Sequence, residues 1–214
     1  MNKTGPLRPR GLVGYAGGVI RDALADAQKA LHALMADERL LAEIERAGGL
    51  LRSCLERGGK IMTCGNGGSM CDAAHFAEEL TGRYRSDRPA LAALACAEPG
   101  HLTCVANDFG FDVVFSRWIE ALGKPGDALV LFTTSGNSPN ILRAAQAAKA
   151  RGMTVIGLLG KGGGQVGGAG LCDVSLVLPG GASDRVQELH KVVLHAWCAG
   201  LESARVERGG AGGA

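Results

Sequence analysis

His75 and Glu79 stand four residues apart in the stretch HFAEELTGRYR. On a helix this spacing stacks an imidazole and a carboxylate one turn apart on one face, where they can share a proton or a metal ion. Glu78 falls about 100° round the same helix and reads as a solvated side chain. Just upstream, CGNGGS (Cys64 to Ser69) is a glycine-rich turn. Its glycines permit close backbone approach, so that several N–H groups can face one anion at a helix start. The turn is not GxGxxG, and no dinucleotide fingerprint is present. A second stretch, TTSGNSPN (Thr133 to Asn140), offers the hydroxyls of Thr133, Thr134 and Ser135, with Ser138 placed as an N-cap and Pro139 in the first helical turn. Hydroxyls gathered at a helix N-terminus can cradle a phosphate without a lysine. Near the C-terminus, DRVQELHKVVLHAW carries Gln187, His190 and His195. Gln187 and His195 are separated by about 12 Å along an ideal helix, so a shared site is permitted but not demanded. Taken singly, each feature is also an ordinary structural one: a tight turn, a capped helix, a helical ion pair, a core histidine.

Positioning these groups requires a scaffold that gathers strand-to-helix loops. From Lys60 onward, short β-rich runs (KIMTC, LAALAC, ALVLFTT, MTVIGLL, DVSLVLP) alternate with helical patterns at Met70 to Arg83, Gly100 to Leu122, Pro139 to Arg151 and Asp184 to Glu202. Alternation of this kind predicts an α/β fold, a parallel sheet covered by helices on both faces. Ligands of such sheets bind beyond the carboxyl ends of the strands, where the two phosphate-friendly loops fall. Upstream, residues from Val19 repeat apolar side chains at three-to-four spacing, as two amphipathic helices suited to packing between subunits would. The predicted organisation is a flexible N-terminus over 1–17, one domain with a helical extension over 18–206, and a flexible glycine-rich tail over 207–214.

With 214 residues, 46% of them hydrophobic, the chain has material for one sizeable core. A net charge of +2 argues against a nucleic-acid or anionic-membrane partner. The seven cysteines form no CxxC pair and mostly sit in apolar segments, which predicts buried free thiols and a reducing, cytoplasmic setting. There is no run of signal-peptide or membrane-span character.

The ordered motifs CGNGGS, HFAEELTGRYR, VANDFGF, TTSGNS and DRVQE followed by His195 resemble the bacterial phosphoheptose isomerase family over roughly Asp22 to Glu202. The resemblance implies the sugar isomerase (SIS) fold, an αβα sandwich with a central five-stranded parallel sheet, assembled as a homotetramer with sites at subunit boundaries. It implies Glu79 as general base and His195 as general acid. Substrate contacts are implied at Asn66, Gly67, Gly68, Ser69, Glu79, Asn107, Asp108, Thr133, Thr134, Ser135, Ser138 and Gln187. One zinc ion per site is implied on His75, Glu79, Gln187 and His195, although a carboxamide is an unusual zinc ligand. The implied reaction turns sedoheptulose 7-phosphate into D-glycero-D-manno-heptose 7-phosphate, opening the route to nucleotide-activated heptose and lipopolysaccharide. Alternatives are an isomerase giving another heptose epimer and a non-catalytic SIS binding protein; the presence of both Glu79 and His195 favours an enzyme. Thr133, where relatives carry Ser, and Glu98, where they often carry Asp, are departures that leave the acid/base pair intact.

Overall fold

The computed structural model describes residues 18–209; residues 1–17 and 210–214, where the sequence predicts flexible termini, lie outside the described residues. Two helices come first, α1 (Val19–Ala36) and α2 (Glu38–Glu56). Asp37 separates them, and its carboxylate accepts the Leu40 N–H at 3.0 Å as an N-cap. The chain then runs β1 (Ile61–Gly65), α3 (Gly68–Thr81), β2 (Ala93–Ala95), α4 (Pro99–Phe109), a 3-10 turn (Phe111–Val113), α5 (Val114–Leu122), β3 (Ala128–Thr133), α6 (Pro139–Ala150), β4 (Thr154–Leu159), α7 (Gly164–Gly168), β5 (Val174–Val177) and α8 (Ser183–Gly209).

All strand pairs are parallel, in the order β2-β1-β3-β4-β5. From β1 the chain moves outward to β2 and then crosses back to β3. The ends of β1 and β3 are therefore neighbours whose following connections leave in opposite directions, which is the switch point where open α/β sheets place their ligand. The glycine turn follows β1 and the hydroxyl loop follows β3.

Side-chain alternation along β3 splits the core into two layers. Ala128, Val130 and Phe132 face a cluster shared with α2, α3 and α8, whereas Leu129 and Leu131 face one shared with α5 and α6. Phe132 is fully buried and sits edge-on to Phe76 at 6.4 Å and to His190 at 5.5 Å. Phe132→Ala is expected to cost about 3–5 kcal/mol of stability, read as a lower urea midpoint at an unchanged slope.

Several elements differ from the sequence reading. The single helix predicted over Gly100 to Leu122 is broken at Gly110, whose φ of 89° no helix accommodates. Glu98 caps the first half, and the Gly100 and His101 N–H groups hold its carboxyl below the usual carboxylate range. The short α7 lies in a glycine-rich stretch without helical periodicity. β5 alternates buried and exposed residues, as an edge strand does, instead of being apolar throughout. α8 continues to Gly209, past the helical pattern predicted over Asp184 to Glu202. All seven cysteines are free; Cys54, Cys64, Cys96 and Cys198 are buried, while Cys71 and Cys104 are exposed. Burial pushes the Cys96 and Cys198 thiols up to about 12. Among the described residues no helix is long and apolar enough to cross a membrane.

Candidate active site

The glycine turn is shaped by close packing. A methyl group on Gly68 would come within 2.6 Å of Nε2 of Gln187, so the Gln187 carboxamide lies against the start of α3. Gly68→Ala is expected to fold, push this amide aside and lower kcat/KM about 10–100-fold, because small misplacements around a bound substrate are costly. Steady-state kinetics alongside a thermal melt would check it.

Asn66 and Asn140 exchange two amide hydrogen bonds, each 2.9 Å, joining the glycine turn to α6. Asn140 is buried, and sequence reasoning did not single it out. In the hydroxyl loop, Oγ1 of Thr133 accepts the Gly136 N–H at 3.1 Å and Oγ of Ser135 accepts the Asn137 N–H at 3.2 Å. Thr134 donates to Oγ of Ser183 at 3.2 Å, which also accepts from Nζ of Lys161 at 3.1 Å. Ser138 holds the N-cap position of α6 but makes no side-chain cap bond, so its hydroxyl is left for another partner. Gly136 has φ 64°, and a methyl there would overlap the Gly163 carbonyl. The loop is thus seated on the backbone that follows β4.

Helices α3 and α8 pack together and bring distant residues to one point. Nε2 of His75 lies 2.9 Å from Nε2 of His195, with the rings near-perpendicular at 84°. Oε1 of Glu79 is 3.4 Å from the first nitrogen and 3.8 Å from the second. His75, Glu79 and His195 form a group able to hold a metal ion, their ligand atoms all within 4.8 Å of one another. Tetrahedral zinc with bonds near 2.0–2.1 Å needs neighbouring ligand atoms about 3.3 Å apart, and the three observed separations bracket that value. Two nitrogens and a carboxylate oxygen are also an ordinary zinc donor set. The fourth implied ligand, Gln187, has its amide at Gly68.

Two clamps fix the helices that carry the cluster. Asp72, buried on α3, lies 2.8 Å from Nζ of Lys191 and 3.4 Å from Nδ1 of His190, both on α8. At the other end, Arg88 donates to the carbonyls of Leu80 at 2.9 Å and Glu79 at 2.6 Å. Glu202 accepts the Arg85 and Ser86 N–H groups. Tyr84 stacks on the His195 ring with centroids 5.7 Å apart. Burial, followed by the neighbouring His75, lowers the His195 pKa, and Glu79 opposes the shift.

Glu78 stands on the solvated face, as its helical angle predicts, and still reaches the His75 ring. Its carboxylate is exposed, but Oε2 lies 3.3 Å from Nδ1 of His75, the ring nitrogen opposite the cluster. The helical spacing of three was the available signal. Asn107 and Asp108 sit exposed on the last turn of α4, and their hydrogen bonds join them to each other and to Cys104 instead of the cluster. Ser69 is buried in the first turn of α3.

A family model described as the SIS domain matches residues 24–160. The phosphoheptose isomerase of Aeromonas hydrophila is 54% identical over 178 residues, covering 83% of this chain and 92% of that protein. That of Sodalis glossinidius is 50% identical over 192 residues, covering 89% and 98%. The structure of phosphoheptose isomerase from Neisseria gonorrhoeae superposes with a TM-score of 0.80 at 40% identity, covering 86% of this chain and 97% of that one. With the sheet, the two loops and the α3–α8 cluster in place, these likenesses show that the chain belongs to the phosphoheptose isomerase family of SIS-domain enzymes and is a sugar-phosphate isomerase.

Proposed function

We propose that the enzyme converts sedoheptulose 7-phosphate to D-glycero-D-manno-heptose 7-phosphate through an enediol, the first step toward ADP- or GDP-heptose. The observation that carries this reading is the meeting of Glu79 with the Nε2 atoms of His75 and His195, 3.4 and 3.8 Å away, on helices that start or end beside the two loops of the switch point. The phosphate is held by the hydroxyls of Thr133, Thr134, Ser135 and Ser138 with the N-terminus of α6. Asn66, Gly67, Gly68, Ser69 and Gln187 line the sugar, and Asn107 and Asp108 approach it from the wall or from a neighbouring subunit. Glu79 takes a proton from C1 of the ketose and, after exchange with solvent, delivers a proton to C2, while Nε2 of His195 services the oxygens, so that no atom is gained or lost. Anchoring the remote phosphate orients C1 and C2 for this transfer.

His75, Glu79, Gln187 and His195 are the residues that would hold one zinc ion per site. Bound zinc would polarise the carbonyl and stabilise negative charge on oxygen. Val19, Ile20, Leu24 and Met35 leave apolar surface exposed on α1, which supports assembly through this helix into the proposed homotetramer. A phosphorylated sugar substrate and free thiols fit a cytoplasmic enzyme serving lipopolysaccharide or other heptose-containing products.

Incubation with sedoheptulose 7-phosphate, followed by NMR of the products, tests the substrate and its stereochemical outcome together. Appearance of the D-glycero-D-manno aldose, with pentose 5-phosphates left unchanged, is expected. Turnover of pentose 5-phosphates in preference to the heptulose would contradict the reading.

A further inference from the structure

We propose that Asn140 is a positioning residue that fixes the carboxamide of Asn66 and sets the gap between the glycine turn and the hydroxyl loop. The inference rests on the reading that the glycine turn after β1 lines the sugar and the hydroxyl loop after β3 seats the phosphate. Asn66 is the first residue beyond β1, and Asn140 lies in the first turn of α6, two residues past the N-cap position of Ser138. Their side chains pair amide to amide. Nδ2 of Asn140 donates to Oδ1 of Asn66, and Nδ2 of Asn66 donates to Oδ1 of Asn140, each at 2.9 Å, the usual length of a well-formed N–H···O bond. A primary amide has two N–H bonds and an oxygen with two lone pairs. The paired edge of Asn66 uses one of each, so the plane of its amide is fixed and one N–H and one lone pair are left for a ligand.

Burial and strand packing give the pair its place. Asn140 is 2% exposed, and a buried amide is costly unless it is hydrogen-bonded, whereas Asn66 is only half-buried at the turn. The strand ends beneath are tightly spaced. Gly65 pairs in register with Phe132, and a methyl on Gly65 would come within 2.9 Å of the Phe132 carbonyl oxygen and 2.5 Å of the Ser69 one. The amide pair carries that spacing outward to the two loops. A sugar phosphate held at one end reacts only if its other end falls in line with the base, and a misplacement of about 1 Å is costly there. Apolar contact could join the two elements equally well. Only the paired amides also fix which way the Asn66 carboxamide faces.

The test is a double-mutant cycle on the full-length protein, with Asn66→Ala, Asn140→Ala and both changes together. Steady-state kinetics with sedoheptulose 7-phosphate, inhibition by inorganic phosphate and a thermal melt are read for each. Asn140→Ala is expected to lower kcat/KM about 10–100-fold. Because Asn140 acts through Asn66, the double variant should stay within about threefold of Asn66→Ala alone, where independent effects would multiply. The inhibition constant of inorganic phosphate should not change, since the hydroxyls and the α6 N-terminus stay in place; a role confined to holding α6 together would weaken it. Should Asn140→Ala not fold, Asn140→Leu, which keeps the volume and removes the polar atoms, takes its place. Losses that multiply, an unchanged kcat/KM in a folded Asn140 variant, or phosphate inhibition weakened as much as kcat/KM would each overturn the proposal. If wild type isomerises another sugar phosphate instead, or inorganic phosphate does not inhibit it, the proposed substrate or phosphate seat fails alone. The cycle read with the sugar that does react then decides on Asn140.

Discussion

Glu79→Gln is expected to lower kcat by about 10²–10⁴-fold, the span that a positioned general base contributes. The amide matches the carboxylate in shape but has no basic oxygen, so it can neither take the C1 proton nor deliver one at C2. Because the change is nearly isosteric, substrate binding through the two loops should persist, and KM should move far less than kcat. Stability should hold as well. The Arg88 clamp acts on the main-chain carbonyl of Glu79, which the substitution leaves in place. Steady-state kinetics with sedoheptulose 7-phosphate and a thermal melt of the same preparation separate these effects. A variant with native melting and undiminished kcat would assign the base elsewhere.

His195→Ala is expected to fall in a similar range, roughly 10²–10⁴-fold in kcat, for a different reason. The ring supplies Nε2, the proposed acid and one of the three clustered donor atoms, and Tyr84 stacks on it. Its removal would take away the proposed acid and open the proposed coordination set. Its side chain is 37% exposed, so the stability loss should be small beside the catalytic one. Zinc affinity should fall together with kcat. Steady-state kinetics, chelator competition and a thermal melt of one preparation would check the three expectations.

Much of the scaffold was legible because it depends on local patterns. Alternation of apolar runs with helical periodicity gave the parallel sheet, and glycine and hydroxyl clusters marked the loops after β1 and β3. The helix expected over Gly100 to Leu122 divided because Gly110 adopts a positive φ, and a sequence pattern records only that glycine permits this, not that it happens. Ser138 looked like a capping residue from its type and place, yet its side chain makes no cap bond.

The candidate site was legible in part. The His75–Glu79 pair follows from helical spacing alone. Its meeting with His195 depends on how α3 packs on α8, which two histidines 120 positions apart in the chain do not encode locally. The Asp72 contacts to Lys191 and His190, and the Arg88 clamp, belong to the same class of long-range information. Glu78 is exposed, as helical angle predicts, but angle alone does not record how far a side chain reaches. A glutamate three residues on can lean along the helix to a histidine ring, and here it does.

Hydrogen exchange during turnover probes the meeting of Glu79 and His195 over one sugar most directly. Wild type and Glu79→Gln would each be incubated with sedoheptulose 7-phosphate in heavy water, and deuterium at C1 of the ketose and C2 of the aldose followed by NMR. The account predicts solvent deuterium at both carbons with wild type and at neither with the variant. Deuterium entering at the wild-type rate with Glu79→Gln would contradict it.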